Sequence, residues 1–446
     1  MDPPPTLPSE VLYRITNAID GTCPEGRQSL LAFSCANRAL GTICQEQIFH
    51  DVEISYTARS SEDAGIILLD DEATTGHKFL DLLTSSPHIR PYVRTLAINK
   101  LLNYGRPESM SDVSIKYAQE GSNTESFSFY SIVPQLPNLE GLTTVHTKHF
   151  QSWAHLEGLT RFYFTNIVPF LTKLDLHVFP DLPFSMFRGC DNLQELHVSS
   201  LDTDMTEKSQ SETGKVKLRV LEVGFPGLAI GKIPIHSWFN ASTSPFDLSR
   251  LQSLTLSDLF TPISEISDML ALCAHTLEDL DFHLELNLFG VSDRFQPPFI
   301  GQTPNLGLLR NLRHLTIRTR MWGKEQSNQE SNYDLLYIAN ALKTLPFTVF
   351  RARQLHFTLE MKVHWFTDFG SSLGLLPWTD LITVLEDDQV APCIAGVKLK
   401  FQLHGHNDAG ELVKIDVPFS SLKDILDKNM GLKELREKAI LSYGCF

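Results

Sequence analysis

The segment GSSLG, Gly370 to Gly374, has the spacing of a nucleophile elbow, in which a strand turns sharply into a helix and leaves the hydroxyl of Ser372 exposed. Asp387 or Asp388, and then His404 or His406, follow it in the chain order of a hydrolase triad. The surroundings oppose acyl transfer. Pro377 interrupts the helix that an elbow requires, little chain remains for the rest of a sheet, and no alternating strand-helix core of the nucleotide-binding kind precedes Ser372. A glycine-serine turn is the expected structure.

Two other groups raise metal chemistry. In His404-Gly405-His406 a strand would point both imidazoles to one side, as a metal site needs. No third ligand stands at a telling spacing, and Gly405 with Asn407 suits a turn. Cys273 and His275 lack partners at zinc spacing, so a buried thiol beside a surface imidazole is expected. No G-x-G-x-x-G or Walker sequence is present to cradle phosphates, and Gly231-Lys232 stands without its loop. The inventory offers no catalytic residue, no cofactor site and no metal site, and points away from an enzyme.

What remains is the scaffold. At 446 residues the chain exceeds the size at which one compact core keeps growing, so two domains or one elongated architecture is expected. A formal charge of −15 disfavours nucleic acid and anionic membrane as the main partner, because both select clustered Lys and Arg. The lysine-rich tail LKDILDKNMGLKELREK alternates signs and reads as a solvated helix face. The opening MDPPPTLPSEVLYRI has no basic segment leading into an apolar run, and no apolar stretch approaches a membrane span. The seven cysteines are scattered without a C-x-x-C, as suits reduced, mostly buried thiols. An intracellular location, cytoplasmic and/or nuclear, is expected.

Leu7-Pro8 opens a helical pattern in which Val11, Leu12, Ile15 and Ile19 recur at helical spacing. Gly21 to Arg27 reads as a loop, after which Ser29 can cap a second helix whose apolar stripe is Leu31, Ala32, Cys35, Ala36 and Ala39. Gly41 then ends it, and Thr42 can cap a third helix carrying Ile43, Cys44, Ile48 and Phe49. Three short helices in about fifty residues lie near the lower limit for an independent core, so the bundle needs a surface to pack on.

The segments LPSEVLYRI, LLAFSCANRAL and ICQEQIFHDVEI resemble the F-box, the helical motif that docks onto the Skp adaptor of cullin-RING ubiquitin ligases. The Leu-Pro opening, Ile15 three residues after Leu12, the Asn37-Arg38 pair and the closing Ile48-Phe49-x-x-Val52 all match its fungal form. Leu40 stands where the family often has Trp, and the loop before the second helix is longer than usual. Farther on, FLDLLTSSPHIRPYVRTLAI resembles the helix, Ser-Ser-Pro turn and first strand that follow the F-box in many mushroom-type fungal proteins. The resemblance implies an adaptor contact made by Leu7, Pro8, Leu12, Ile15, Leu31 and Ile48.

Beyond it an L-x-x-L-x-L phrase recurs at Leu171, Leu174, Leu176; Leu193, Leu196, Val198; Leu218, Leu221, Val223; Leu251, Leu254, Leu256; Leu277, Leu280, Phe282; and Leu312, Leu315, Ile317. Weaker copies stand at Val93, at Ala352 and at Ile394. The last two positions of each copy alternate as in a strand, while SMFRGCDNL and DMLALCAHTL between copies read as helices. This resembles a leucine-rich repeat, but the period is uneven and the Asn or Cys that usually follows the third position is missing. Excursions are expected at Thr203 to Lys215, Gly227 to Phe246, Gly290 to Leu306 and Gly323 to Tyr333. Near the C-terminus, SSLKDILDKNMGLKELREKAIL reads as a polar helical cap broken at Gly431.

The fold class expected is therefore α/β: a short three-helix F-box-like bundle over residues 1–55, a connector and helix over 56–88, and an irregular leucine-rich-repeat solenoid of strand-helix repeats over 89–348, with terminal repeats and a helical cap over 349–446. The resemblance implies a substrate-recognition subunit of a Skp-cullin-F-box ubiquitin ligase, with the Skp adaptor and cullin ligase as partners and the solenoid holding a target protein. Such a subunit accelerates chemistry done elsewhere by raising effective concentration. The alternative is a leucine-rich-repeat protein-binding scaffold with no ligase role, which Leu40 and the longer loop favour.

Overall fold

The computed structural model describes residues 8–19, 23–36, 38–55, 58–60, 67–69, 75–99, 131–145, 164–176, 182–198, 201–202, 215–224, 239, 244–257, 263–284, 303–322, 333–345, 355–364, 378–406, 412–414, 419–438 and 441–445. It is a mixed α/β protein with parallel sheet and several helices, and it divides into two compact units, Met1–Leu193 and Gln194–Phe446.

In the first unit, helices α1 (Ser9–Asn17) and α2 (Pro24–Ala36) both pack on α3 (Arg38–His50). Two helix boundaries differ from the sequence reading. Helix α2 begins at Pro24, which has no N–H to lose at a helix start, so the expected loop through Arg27 is shorter and Ser29 lies inside the helix. Helix α3 begins at Arg38, and Gly41 and Thr42 sit within it. Gly41 is tolerated there because the turn runs close to α2: a Cβ at Gly41 would stand 3.1 Å from the Ser34 carbonyl.

Helix α3 runs directly into strand β1 (Asp51–Ser55), which opens a parallel sheet with β2 (Thr95–Asn99), β3 (Gly141–Val145) and β4 (Lys173–Leu176) in chain order. Helix α4 (Thr75–Ser85) and the 3-10 turn Pro87–Tyr92 precede β2, burying Phe79, Leu83 and Ile89. A small antiparallel pair, Ala58–Ser60 with Ile67–Leu69, stands apart.

In the second unit seven strands follow in chain order, all parallel: β5 (Glu195–Val198), β6 (Val220–Gly224), β7 (Ser253–Ser257), β8 (Asp279–Leu284), β9 (His314–Trp322), β10 (Leu355–His364) and β11 (Ile394–His406). Strand β12 (Leu412–Lys414) returns antiparallel on the far end of β11, and β13 (Leu441–Cys445) pairs with it in parallel. The expected turn at Gly405 is therefore strand, and the chain beyond the C-terminal helices ends in a strand that the helical pattern concealed.

Every position of the six L-x-x-L-x-L phrases is buried, none more than 4% exposed. The alternation places the last two apolar residues of each phrase on one face of the sheet, where register stacks them: Leu196, Leu221, Leu254, Leu280 and Leu315 form one row and Val198, Val223, Leu256, Phe282 and Ile317 the next. The first residue of each phrase lies before the strand and fills the turn leading into it.

The connectors are unequal. Where DMLALCAHTL was expected as a helix, α5 (Ile263–Leu272) forms and buries Ile266, Met269 and Leu270. Where SMFRGCDNL was expected as one, only the 3-10 turn Phe184–Phe187 appears, ended by Gly189 at φ 75°, a left-handed conformation that glycine adopts without strain. Helices α6 (Tyr333–Lys343) and α7 (Trp378–Leu385), which the sequence reading missed, pack against each other before β10 and β11. At the C-terminus α8 (Phe419–Leu426) and α9 (Met430–Glu437) are separated by Asn429, whose side chain accepts a hydrogen bond from the Leu432 N–H at 3.2 Å. The break thus falls before Gly431, not on it. Gly431 is instead a close approach, because a Cβ there would lie 2.8 Å from Ile382 Cδ1.

A second close approach ties two connectors together. The 3-10 turn Leu306–Leu308 sits under the end of α6, with the Leu306 N–H donating to Thr344 Oγ1 at 2.9 Å and the Thr344 hydroxyl donating to the Ala341 carbonyl at 2.7 Å. At Gly307 a Cβ would stand 2.5 Å from the Thr344 carbonyl oxygen, so Gly307→Ala must push the turn and helix apart. We expect that substitution to cost about 1–3 kcal/mol and Leu315→Ala in the buried row to cost about 2–5 kcal/mol, both read as lowered urea midpoints.

Candidate functional site

Two surfaces stand out, one in each unit. In the first, α1 and α2 carry Val11, Tyr13, Ile15, Leu31 and Phe33 exposed, five of the nine exposed large apolar side chains among the described residues. The helix stripes explain why. Among the described side chains of α1 only Leu12 and Thr16 turn inward, Thr16 donating to the Leu12 carbonyl at 3.1 Å, which leaves Val11 and Ile15 outside. Among the described side chains of α2 the buried residues are Gly26 and Leu30, while Leu31, Ala32, Cys35 and Ala36 of the apolar stripe are all exposed. The apolar stripe is real and looks outward.

Of the residues assigned to adaptor contact, Pro8 is exposed at the start of α1, Ile15 is 39% and Leu31 54% exposed, and Ile48 is half-buried on α3. Leu12 is buried within the bundle, and Leu7 lies outside the described residues. Tyr13, which the sequence reading passed over, is exposed beside them with its hydroxyl donating to Glu46 Oε2 at 2.7 Å.

In the second unit the face of the sheet opposite the leucine rows is polar. One row runs His197, Glu222, Thr255, Asp281, Thr316, Thr358 and Lys398 across β5 to β11, and the next aligns His283, Arg318, Glu360 and Lys400. Arg318 is the hub. Its Nη2 lies 2.6 Å from Asp281 Oδ2, its Nη1 donates to His283 Nε2 at 2.8 Å, and its Nε is 3.0 Å from Glu360 Oε2. Lys400 reaches the other oxygen of Glu360 at 2.6 Å, and His197 Nδ1 lies 3.2 Å from Glu222 Oε2. The parallel register makes these pairs directly opposite or diagonal neighbours, within reach of one side chain.

Burial tunes two members of this network in opposite senses. It pushes the Asp281 carboxyl up to about 6, overriding the attraction of Arg318, and Oδ1 is buried with no hydrogen-bond partner among the described residues. It pushes His283 down to about 4, helped by Arg318. His283 is thus held neutral, its Nε2 lone pair accepting from the guanidinium. Chemically, the face presents fixed charges and one carboxyl that exchanges its proton near pH 6.

An open surface cavity of about 410 Å³ lies at the beginnings of the strands, lined by Arg219, Arg250, Gln252, His275, Glu278 and Asn311. Much of its polarity is spent internally: Arg219 donates to Gln252 Oε1 through Nη2 at 2.9 Å, Asn311 bonds the His275 carbonyl, and Glu278 pairs with Arg313 at 3.5 Å.

The remaining sequence candidates disperse. Ser372 lies outside the described residues. His404 is half-buried on β11. Cys273 is buried, its thiol donating to the Met269 carbonyl and pushed up to about 12 by burial, while His275 is exposed in the cavity. Among the described residues no three His, Cys, Asp or Glu converge as a metal group, and no helix is long and apolar enough to cross a membrane. No family model matches the chain, and no curated protein matches it.

The charged network has a testable signature. His283 binds its proton less tightly in the folded chain than in the unfolded one, so its contribution to stability is lost as pH falls from 6.5 through 4. Asp281 works the other way, its penalty easing as pH falls from 6 towards 3.9. The two nearly cancel between pH 4 and 6. Removing one exposes the other: His283→Asn should gain about 2 kcal/mol on the parent between pH 7 and pH 4.5, measured by urea denaturation at both pH values.

Proposed function

We propose that this protein is the substrate-recognition subunit of a Skp-cullin-F-box ubiquitin ligase, in which α1 to α3 form an F-box-like bundle that docks the Skp adaptor and the sheet of the second unit, read as an irregular leucine-rich-repeat solenoid, holds a target protein. The carrying observation is the outward apolar face of α1 and α2. Exposed Val11, Ile15, Leu31 and Phe33 would leave water on docking, and each fully covered side chain of this size contributes about 1.5–3 kcal/mol before the cost of association. The same residues lie within the segments LPSEVLYRI and LLAFSCANRAL that resemble the F-box. The exposure of Ile15 and Leu31 agrees with the contact role assigned to them, whereas Leu12 serves the bundle's own core.

The second unit supports the target-binding half of the reading. Its strands follow in chain order with one apolar face and one polar face, and a polar, ordered row of side chains open to solvent can be covered by another protein. The scaffold reading, which shares this half, rests on Leu40, half-buried where the family often has Trp.

The deciding experiment is co-purification of the full-length chain with Skp adaptors of its own species, beside Ile15→Asp/Leu31→Asp. Both side chains are exposed, so the variant should keep the parent's circular dichroism and melting temperature while adaptor capture falls about a hundredfold. A folded parent that captures no adaptor leaves the scaffold reading in its place.

A further inference from the structure

We propose that the open face of β9, β10 and β11 binds an extended acidic segment of a partner protein. The inference deepens the target-binding half of the function above and rests on that sheet face being a recognition surface. It does not depend on adaptor docking.

The outward rows of these three strands carry Arg318, Lys362, Lys398 and Lys400, and among the described side chains there the single carboxylate is Glu360. Glu360 is only 9% exposed and is already met on both oxygens, by Lys400 at 2.6 Å and Arg318 at 3.0 Å. It forms the neutralised floor of the patch. Lys362 and Lys398 rise beside that floor, both exposed, and among the described residues neither makes an ion pair. Such a local excess of positive charge is conspicuous in a chain of formal charge −15. Screening confines a charge's influence to about 8 Å at physiological salt, so an acidic segment repelled by the rest of the surface is attracted here.

Register gives the ligand its shape. Lys398 is opposite Thr358, Lys400 opposite Glu360, and Lys362 two residues farther along β10. From the Lys398 row to the Lys362 row is four residues of strand, or about 13 Å, with a sideways step of about 4.8 Å between the strands. An extended chain lying along the strands has the same rise, so carboxylates at i and i+4 reach both lysines, while a side chain at i+2 lies over the Glu360 floor. The Thr358 hydroxyl, half-buried beside Lys398, adds a neutral polar group to that end. A carboxylate-bearing strand fits this spacing better than a nucleic acid, whose single-strand grooves stack bases on Phe, Tyr or Trp, none of which is among the described side chains of these rows.

The test uses the full-length chain and a fluorescent peptide of about ten residues with Glu at every second position, long enough to span the patch. Its controls are the same peptide with Gln for Glu, and a single-stranded oligonucleotide. We expect saturable binding of the Glu peptide that weakens with added salt and no binding of the Gln peptide. Lys362→Glu/Lys398→Glu should weaken capture about tenfold or more. Arg219→Glu/Arg250→Glu, which reverses as much charge in the surface cavity at the strand starts, should leave it unchanged. No binding by the parent, an equal loss in both variants, or equal capture of the oligonucleotide overturns the proposal. If adaptor capture fails but peptide binding stands, the ligase role is lost and this surface is kept.

Discussion

One hydrogen-bond arrangement recurs at the steps from β2 to β4 and from β5 to β9, and the architecture depends on it. The carbonyl of the residue before a strand accepts the amides of two successive residues at the start of the next strand. Arg94 takes Glu140 and Gly141, Glu140 takes Thr172 and Lys173, Gln194 takes Arg219 and Val220, Arg219 takes Gln252 and Ser253, Gln252 takes Glu278 and Asp279, and Glu278 takes Arg313 and His314. All twelve bonds are 2.7–3.1 Å long. They use backbone groups that would otherwise be buried without partners where strand gives way to turn, and leaving one unmade would cost about 1–3 kcal/mol. They also fix register. Once two amides are held on one carbonyl, the next apolar residue must fall on the row below it, and a one-residue slip would turn the leucines to the polar face.

With register set at the start of each strand, the chain between strands is free to vary. A ten-residue helix precedes β8, a 3-10 turn of three residues precedes β9, and an eleven-residue helix precedes β10. Each connector needs only to cover the apolar rows and to deliver one buried leucine, such as Leu277 or Leu312, to the turn. The polar face carries no such duty. There the constraint is electrostatic: half-buried charges must be paired, and the alternation of acid and base across Asp281, Arg318, Glu360 and Lys400 satisfies it. Asp281 shows the limit of that solution, because its second oxygen finds no donor among the described residues and its proton is held towards neutral pH.

This division explains what the sequence made legible. Leu171 to Ile317 could be placed in the core because period-two alternation and the L-x-x-L-x-L phrase are properties of the buried face, where each position has one acceptable chemistry. Helices α6 and α7 escaped notice because their apolar positions, Leu335, Ile338 and Leu342 in one and Trp378, Leu381 and Leu385 in the other, lie in segments whose flanks read as loop and turn. Strand β13 was hidden by the helical periodicity of α8 and α9 just before it. The charged network was invisible for a different reason. Arg318, Glu360 and Lys400 are separated by about forty residues each, and only register makes them neighbours. In α2 the sequence shows the stripe but not its direction, since periodicity defines a face without saying what it faces.

That last point bears on how the first unit works. Helix α3 ends at His50 and β1 begins at the next residue, and the His50 carbonyl accepts the Arg94 amide at 2.9 Å. The final helical carbonyl therefore opens the backbone ladder between β1 and β2, which then passes to β3 and β4 through Arg94 and Glu140. Helix and sheet share hydrogen bonds without an intervening linker, so α3 cannot rotate without disturbing the β1–β2 pairing. A partner covering the outward residues of α1 and α2 would grip helices that pack on α3, and through α3 would fix the direction of strands β1 to β4. Apolar burial supplies the affinity at such a contact, and the unbroken passage from α3 into β1 gives it an orientation.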